Sequence, residues 1–347
     1  MSGYLGGIYE RHGTEIWCDS PNPADLNRMI GLGAVGATSN PVLIPRTVLA
    51  NADRWKAELP ALRAQGGLAN WNLYRKVASE AAAILRPIYD RTNGKQGFLS
   101  VQVDPRNWDK PALMVEQALE AAALGPNISI KVPAVKPGLV AAEELAAQGI
   151  HTTVTVSYSL PQVVQIAEAF KRGKARAAAA GKLPKDGRPL HNWAVLMVGR
   201  LDDHLRDVAK EQDVKIDPQV ITYAGNAVAK KAYKLFNERG YESVFCIAAM
   251  RGVYHIDQYM GAKLVVTVPP ANELEFAKAV NSQVPPAKMD EEVPGAIIDE
   301  LSEKFVDFRR AYDESGMSAE EFAEFGPSAK TLKQFIGGWE SLIEFVG

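Results

Sequence analysis

Short apolar or alternating runs of strand length recur along the chain between longer stretches rich in Ala, Leu, Glu and Lys with helical spacing. That alternation is the pattern of βα units around a parallel sheet. Eight runs predict strands, at residues 14–19, 35–39, 98–103, 128–133, 152–157, 193–199, 243–248 and 263–268. Eight such units in series are what a closed (β/α)8 barrel requires. The piece 22–30 is long enough for one helix, whereas 51–92 is long, Ala-rich and broken at Gly66-Gly67, so it reads as two. The stretch 171–192 prolongs the helix after the fifth strand as a solvated extension and ends at an Asp186-Gly187 turn signal. From Pro285 an acidic linker leads into helices predicted at 297–312, 318–325 and 329–346, and Phe335, Trp339 and Phe345 predict that this tail docks. The expected fold class is α/β, a single (β/α)8 TIM barrel over residues 1–284 with a linker and helical tail packed on it over 285–347.

Strand parity then locates candidate chemistry, because alternate side chains share a face. Ile128, Ile130 and Val132 oppose Ser129 and Lys131; Leu99, Val101 and Val103 oppose Ser100, Gln102 and Asp104. Val154 and Val156 oppose Thr153, Thr155 and Ser157. Three successive strands thus gather polar groups on one face near their C-terminal ends, which in a barrel is the mouth where active sites sit. Asp19 closes the first strand and Asn40 follows the second, on the same rim. Each has a plainer role available: an edge or paired lysine, a turn at Asp19, a helix start at Asn40-Pro41. Their convergence favours function.

Composition narrows the classes. Hydrophobic residues at 47% and charged residues at 23% describe a chain able to build a large core, and 41 acids against 39 bases give a net charge of -2. Without an overall positive field, neither nucleic acid nor a membrane is an expected partner. The first 13 residues lack a basic segment followed by an apolar run, no stretch is long and apolar enough to span a bilayer, and two distant cysteines, Cys18 and Cys246, read as reduced thiols. A cytoplasmic location follows as the expectation.

A lysine among apolar neighbours has its ammonium form disfavoured, so its free amine is available to attack a carbonyl and form a Schiff base. Lys131 is the candidate nucleophile and Asp19 the candidate general base and acid. Asn40, Thr153 and Thr155 are suited to orienting a polyol or a water, and Gln102 to holding that water without exchanging protons. Arg200 and Arg251, each just beyond a late strand, suit a phosphate or other oxyanion.

Three signals carry no weight. Gly31-Leu32-Gly33-Ala34-Val35-Gly36 has dinucleotide-loop spacing but runs from helix into strand, the reverse of the required context. The five histidines and two cysteines show no ligand spacing, so neither a metal nor another cofactor is expected. Asn127-Ile128-Ser129, formally a glycosylation sequon, enters a predicted buried strand.

Several ordered segments resemble the transaldolase family. Ala37-Thr38-Ser39-Asn40-Pro41 is similar to its Thr-Thr-Asn-Pro signature, and Ile128-Ser129-Ile130-Lys131-Val132-Pro133 with Gly138 and Glu143-Glu144-Leu145 resembles the segment of its Schiff-base lysine. Gly149-Ile150-His151-Thr152-Thr153-Val154-Thr155, Val198-Gly199-Arg200 and Ala249-Met250-Arg251 continue the match, which spans about residues 13–279. The resemblance implies a barrel with permuted strands, no cofactor and sugar phosphate substrates. Catalysis would fall to Lys131, Asp19, Gln102 and Thr155, and substrate binding to Asn40, Thr153, Ser157, Arg200 and Arg251. The implied activity is transfer of a dihydroxyacetone unit from a ketose phosphate to an aldose acceptor; a homo-oligomer is compatible with it. Classical members have glutamate where Gln102 stands and usually asparagine where Thr153 stands, and the related fructose-6-phosphate aldolases share the glutamine. Met197 replaces an aromatic residue and Ala249 stands near a phosphate-binding serine of classical members. The second reading is therefore a lyase releasing free dihydroxyacetone, or a specialised sugar transaldolase. A sugar-phosphate-binding barrel without catalysis is the third.

Overall fold

The computed structural model describes residues 3–184 and 186–347; Met1 and Ser2 of the N-terminal segment, and Lys185 of the basic stretch before the sixth strand, lie outside the described residues. Parallel ladders join β1 (Glu15–Cys18), β2 (Ala37–Thr38), β3 (Leu99–Gln102), β4 (Ile128–Pro133), β5 (Thr152–Thr155), β6 (Asn192–Met197), β7 (Val244–Ala248) and β8 (Val265–Val268) in chain order. β8 returns to β1 with Glu15 opposite Val265 and Cys18 opposite Val268, closing the ring. Every strand lies within or one residue from a run predicted from hydrophobic patterning. The protein is a (β/α)8 barrel with added helices.

Parity fills the barrel in layers. At the N-terminal end Trp17, Phe98 and Trp193 pack edge to face, with Trp17 and Phe98 centred 5.3 and 5.0 Å from Trp193. Above them the Thr153 hydroxyl lies 3.0 Å from that of Ser100 and 2.7 Å from that of Ser129, so buried polar atoms of three strands satisfy one another. The alternate residues Leu99, Val101, Ile130, Val132 and Val154 are fully buried as well, as expected where both sheet faces are covered.

The crossover between β2 and β3 carries helices Ala52–Ala64 and Ala69–Arg91, separated where Gly66 and Gly67 take φ of 74° and 68°, a region that only glycine enters freely. It also holds a short helix, Leu43–Leu49, directly after β2. Helix Tyr4–His12 was not legible, since Gly6 and Gly7 lower its propensity, yet it buries Leu5 and Ile8 beside β1.

The tail differs from expectation in two places. The stretch 297–312 is two helices, Gly295–Lys304 and Val306–Tyr312, because buried Phe305 is extended between them at φ -127° and ψ 111°. Residues 318–325 form turns rather than a helix: Phe322 and Phe325 are drawn into the core, and Phe325 is extended before Gly326-Pro327 starts a new helix. That terminal helix, Gly326–Val346, buries Phe335 and Trp339, the latter packed 5.0 Å from Tyr74 on the long crossover helix.

Candidate active site

The C-terminal ends of the strands open onto a cavity of about 220 Å³ lined by Asp19, Asn40, Lys131, Thr155, Arg200 and Arg251 among others. Lys131 projects from β4 and is 5% exposed, its Nζ donating to the Ser39 carbonyl at 3.3 Å. Val195, Met197, Cys246 and Ala248 supply apolar surface around it. Burial pushes its pKa below the usual lysine value, while Asp19 and then Cys246 oppose that shift. Asp19 is pushed the other way, above the usual carboxylate value, again chiefly by burial; Lys131 and the Thr38 hydroxyl at 2.6 Å counter it. Both shifts disfavour charge relative to a free lysine and a free aspartate, and the amine and the carboxyl border one small space.

Asn40 combines both readings open to it. Its Oδ1 accepts from the backbone N–H of Val42 at 2.8 Å and of Leu43 at 3.0 Å, starting helix Leu43–Leu49, and the residue also lines the cavity. The cap occupies the amide oxygen and leaves the NH2 as the group available for a ligand. Thr155 Oγ1 donates to Met197 Sδ at 3.5 Å on the cavity wall.

The arginines differ. Arg200 is half-buried, its Nε has no hydrogen-bond partner among the described residues, and burial lowers its pKa against the opposing effect of Tyr158. Arg251 forks onto Asp203 Oδ2 through Nε at 2.9 Å and Nη2 at 2.6 Å, and its Nη1 donates to the carbonyls of Ala249 and Met250 at 2.9 and 3.1 Å. Two guanidinium groups from adjacent strand ends therefore border one side of the mouth, Arg251 already paired with Asp203, and both suit an oxyanion.

Three expected residues do not line this cavity. Thr153 is spent in the hydroxyl layer beneath it. Ser157 donates instead to the Val195 carbonyl, because Val156 takes φ of 62°, which ends the strand at Thr155 and breaks the alternation that pointed Ser157 inward. Gln102 stands opposite Lys131 in the β3–β4 ladder, 1% exposed, with its Oε1 reached by no donor among the described residues.

Other lining residues were not singled out. Thr38 and Thr267 follow strand parity and were findable by extending it to β2 and β8. Arg46, on helix Leu43–Leu49, and Gln334 and Phe335, on the terminal helix, carry no such signal. Arg46 is exposed and makes no ion pair among the described residues, so the rim opposite Arg200 also carries positive charge.

Comparison with known proteins follows the same lines. The family model described as transaldolase/fructose-6-phosphate aldolase matches residues 16–343. The chain is similar to transaldolase 1 of Streptomyces avermitilis, 31% identical over 240 residues, covering 65% of this chain and 62% of that relative. Transaldolase 2 of Nostoc punctiforme is 27% identical over 303 residues, 76% of this chain and 78% of the relative. A transaldolase of Frankia alni is 32% identical over 208 residues, 56% and 54% respectively. The chain thus spans less than two thirds of the length of the first and last of these relatives.

Proposed function

The chain belongs to the transaldolase/fructose-6-phosphate aldolase family, and from that premise we propose that its cavity moves a dihydroxyacetone unit from a ketose phosphate to an aldose acceptor through a Schiff base on Lys131. The observation that carries this reading is the buried amine of Lys131 sharing a cavity with the half-buried carboxyl of Asp19.

The amine attacks the ketose C2 carbonyl, the carboxyl of Asp19 supplies the proton with which the hydroxyl departs as water, and a protonated imine and the Asp19 carboxylate result. Asp19 takes the proton of the C4 hydroxyl as the C3–C4 bond breaks; that electron pair flows into the imine, leaving an enamine on Lys131 and a free aldose. The enamine carbon then attacks the aldehyde of the incoming aldose, Asp19 returns the proton to the new alkoxide, and water releases the product ketose and the amine. No redox step occurs and the protons balance between substrate, water and Asp19. Arg200 and Arg251 hold the phosphate and Asn40 and Thr155 orient hydroxyls, whereas Gln102, opposite Lys131 in the β3–β4 ladder, lies outside the cavity lining and takes no direct part. A barrel that excludes bulk water strengthens each of these interactions.

Borohydride reduction in the presence of fructose 6-phosphate, followed by peptide mass spectrometry, tests the proposal. A reduced adduct on Lys131, absent in Lys131→Ala, is expected; an unmodified Lys131 in a protein that still binds the sugar rejects it. Adding or omitting erythrose 4-phosphate separates transfer from release. Acceptor-independent production of dihydroxyacetone identifies the lyase reading, which the amide at Gln102 favours.

A further inference from the structure

Beneath Arg251, and outside the cavity lining, lies a pair of ionisable side chains with no part in the reaction above: His255 and Asp202, both 0% exposed. The backbone N–H of Arg251 donates to His255 Nδ1 at 3.1 Å. An amide N–H cannot accept, so Nδ1 carries the lone pair and the ring proton sits on Nε2. Nε2 is 3.0 Å from Asp202 Oδ2, and Asp202 Oδ1 accepts from the backbone N–H of Gly225 at 2.9 Å. One unbroken chain of hydrogen bonds thus runs from the loop after β7, through His255, to helix Val198–Glu211 and on to the first turn of helix Ala224–Glu238.

The loop needs such a tie. Ala249 takes φ of 63°, an unfavourable conformation for alanine that surrounding structure must hold. Gly199, beside Arg200, is the close-approach point: a Cβ there would lie 2.3 Å from the Ala249 carbonyl oxygen, 2.6 Å from Arg251 Cγ and 3.2 Å from His255 Cε1. The arginine stem, the strained carbonyl and the histidine ring therefore pack on a single bare backbone position next to the other arginine. Burying an ionised carboxylate and an imidazole is costly unless each lone pair and proton is matched, and a fully matched buried network fixes geometry.

We infer that the His255–Asp202 pair positions Arg251, setting the spacing of the two guanidinium groups and with it the affinity for the phosphate end of the substrate. His255 and Asp202 are positioning residues, since neither borders the cavity. The inference rests on the reading of Arg251 as a phosphate anchor.

The test compares His255→Gln, His255→Asn and Arg251→Ala in steady-state turnover of fructose 6-phosphate and of unphosphorylated fructose. Gln keeps a donor near Asp202 but loses the acceptor for the Arg251 N–H; Asn places an amide oxygen near the Nδ1 position. In His255→Gln, KM for fructose 6-phosphate is expected to rise about tenfold, as for the loss of one buried hydrogen bond. Its kcat and its turnover of fructose should change less than about twofold, and His255→Asn should recover most of the KM. Equal losses on both sugars, no change in KM, or an Asn variant no better than Gln would overturn the inference. Should His255→Gln fail to fold, Asp202→Asn serves as the milder variant. It is expected to raise the same KM about threefold, and an unchanged KM there overturns the inference equally. An Arg251→Ala protein with undiminished preference for the phosphorylated sugar removes the anchor and this inference together. The Schiff-base reading is judged separately, by reduction of the Lys131 adduct with free fructose.

Discussion

Thr38 Oγ1 lies 2.6 Å from Asp19 Oδ1 and, on its other side, 2.6 Å from Thr267 Oγ1. A hydroxyl has one proton to donate. With the carboxylate receiving it, Thr267 donates to Thr38 and the relay runs from β8 through β2 to the end of β1. The Thr38 bond favours the charged form of Asp19. Thr38→Val removes it, pushes the Asp19 pKa further up and leaves less base at neutral pH. The expected loss in kcat is about tenfold, the scale of a hydrogen bond to a charged group. The pH–rate profile checks it: the acidic limb should move to higher pH, and an unmoved limb would reject a proton-transfer role for Asp19.

Asp19→Asn separates imine formation from bond cleavage. The Asp19 charge supports the ammonium form of Lys131, so its removal lowers the Lys131 pKa further. Borohydride trapping of dihydroxyacetone on Lys131 should then begin at lower pH than in the wild type. Cleavage of fructose 6-phosphate should fall about 10²- to 10⁴-fold for loss of a general base. Trapping that shifts to higher pH would contradict the assigned coupling.

At the opposite end of the barrel, His151 Nδ1 accepts from the backbone N–H of His191 at 3.1 Å. Burial pulls the His151 pKa down from 6.5 to about 4, and burial lowers His191 as well. With the folded value below the unfolded one, the unfolded chain binds more protons between pH 6.5 and about 4, so stability falls as pH falls through that window. His151→Asn keeps an acceptor but cannot titrate. Its thermal midpoint should fall less steeply over the same range, with the remaining slope due to His191 and to ion-paired glutamates such as Glu80 and Glu144; identical slopes would refute the assignment.

Phe335 joins the cavity from the terminal helix while staying 1% exposed. Phe335→Ala should cost about 3 kcal/mol of stability, as for other large-to-small core changes. It also admits water beside the enamine, so the share of donor consumed without acceptor should rise relative to transfer. Dihydroxyacetone release measured at saturating acceptor tests this, and an unchanged ratio would show that the side chain does not exclude water.

The barrel was legible because its strands alternate or run apolar over short lengths, and parity alone placed Lys131, Thr155 and, one residue past a strand, Asp19 on the same rim. Parity failed where the backbone left the strand: Val156 at φ 62° turned Ser157 away. Thr153 shows a different limit, since an inward residue one layer too deep looks the same in sequence as one that meets the ligand. Arg46 and Gln334 were invisible, and Phe335 was legible only as a docking residue, because helices carry them to the mouth, and helical periodicity says which face is apolar, not which distant strand end it covers. In residues 318–325, a Ser318–Glu321 contact resembling a helix cap is present, but the chain turns to bury two phenylalanines.

Helix Gly326–Val346 follows all eight strands in the chain yet supplies part of the wall around Lys131. During synthesis, the barrel strands leave the ribosome while this last wall is still being translated. A ring of eight strands closed before this helix docks would thus present a wider, wetter crevice around Lys131 than the complete wall does.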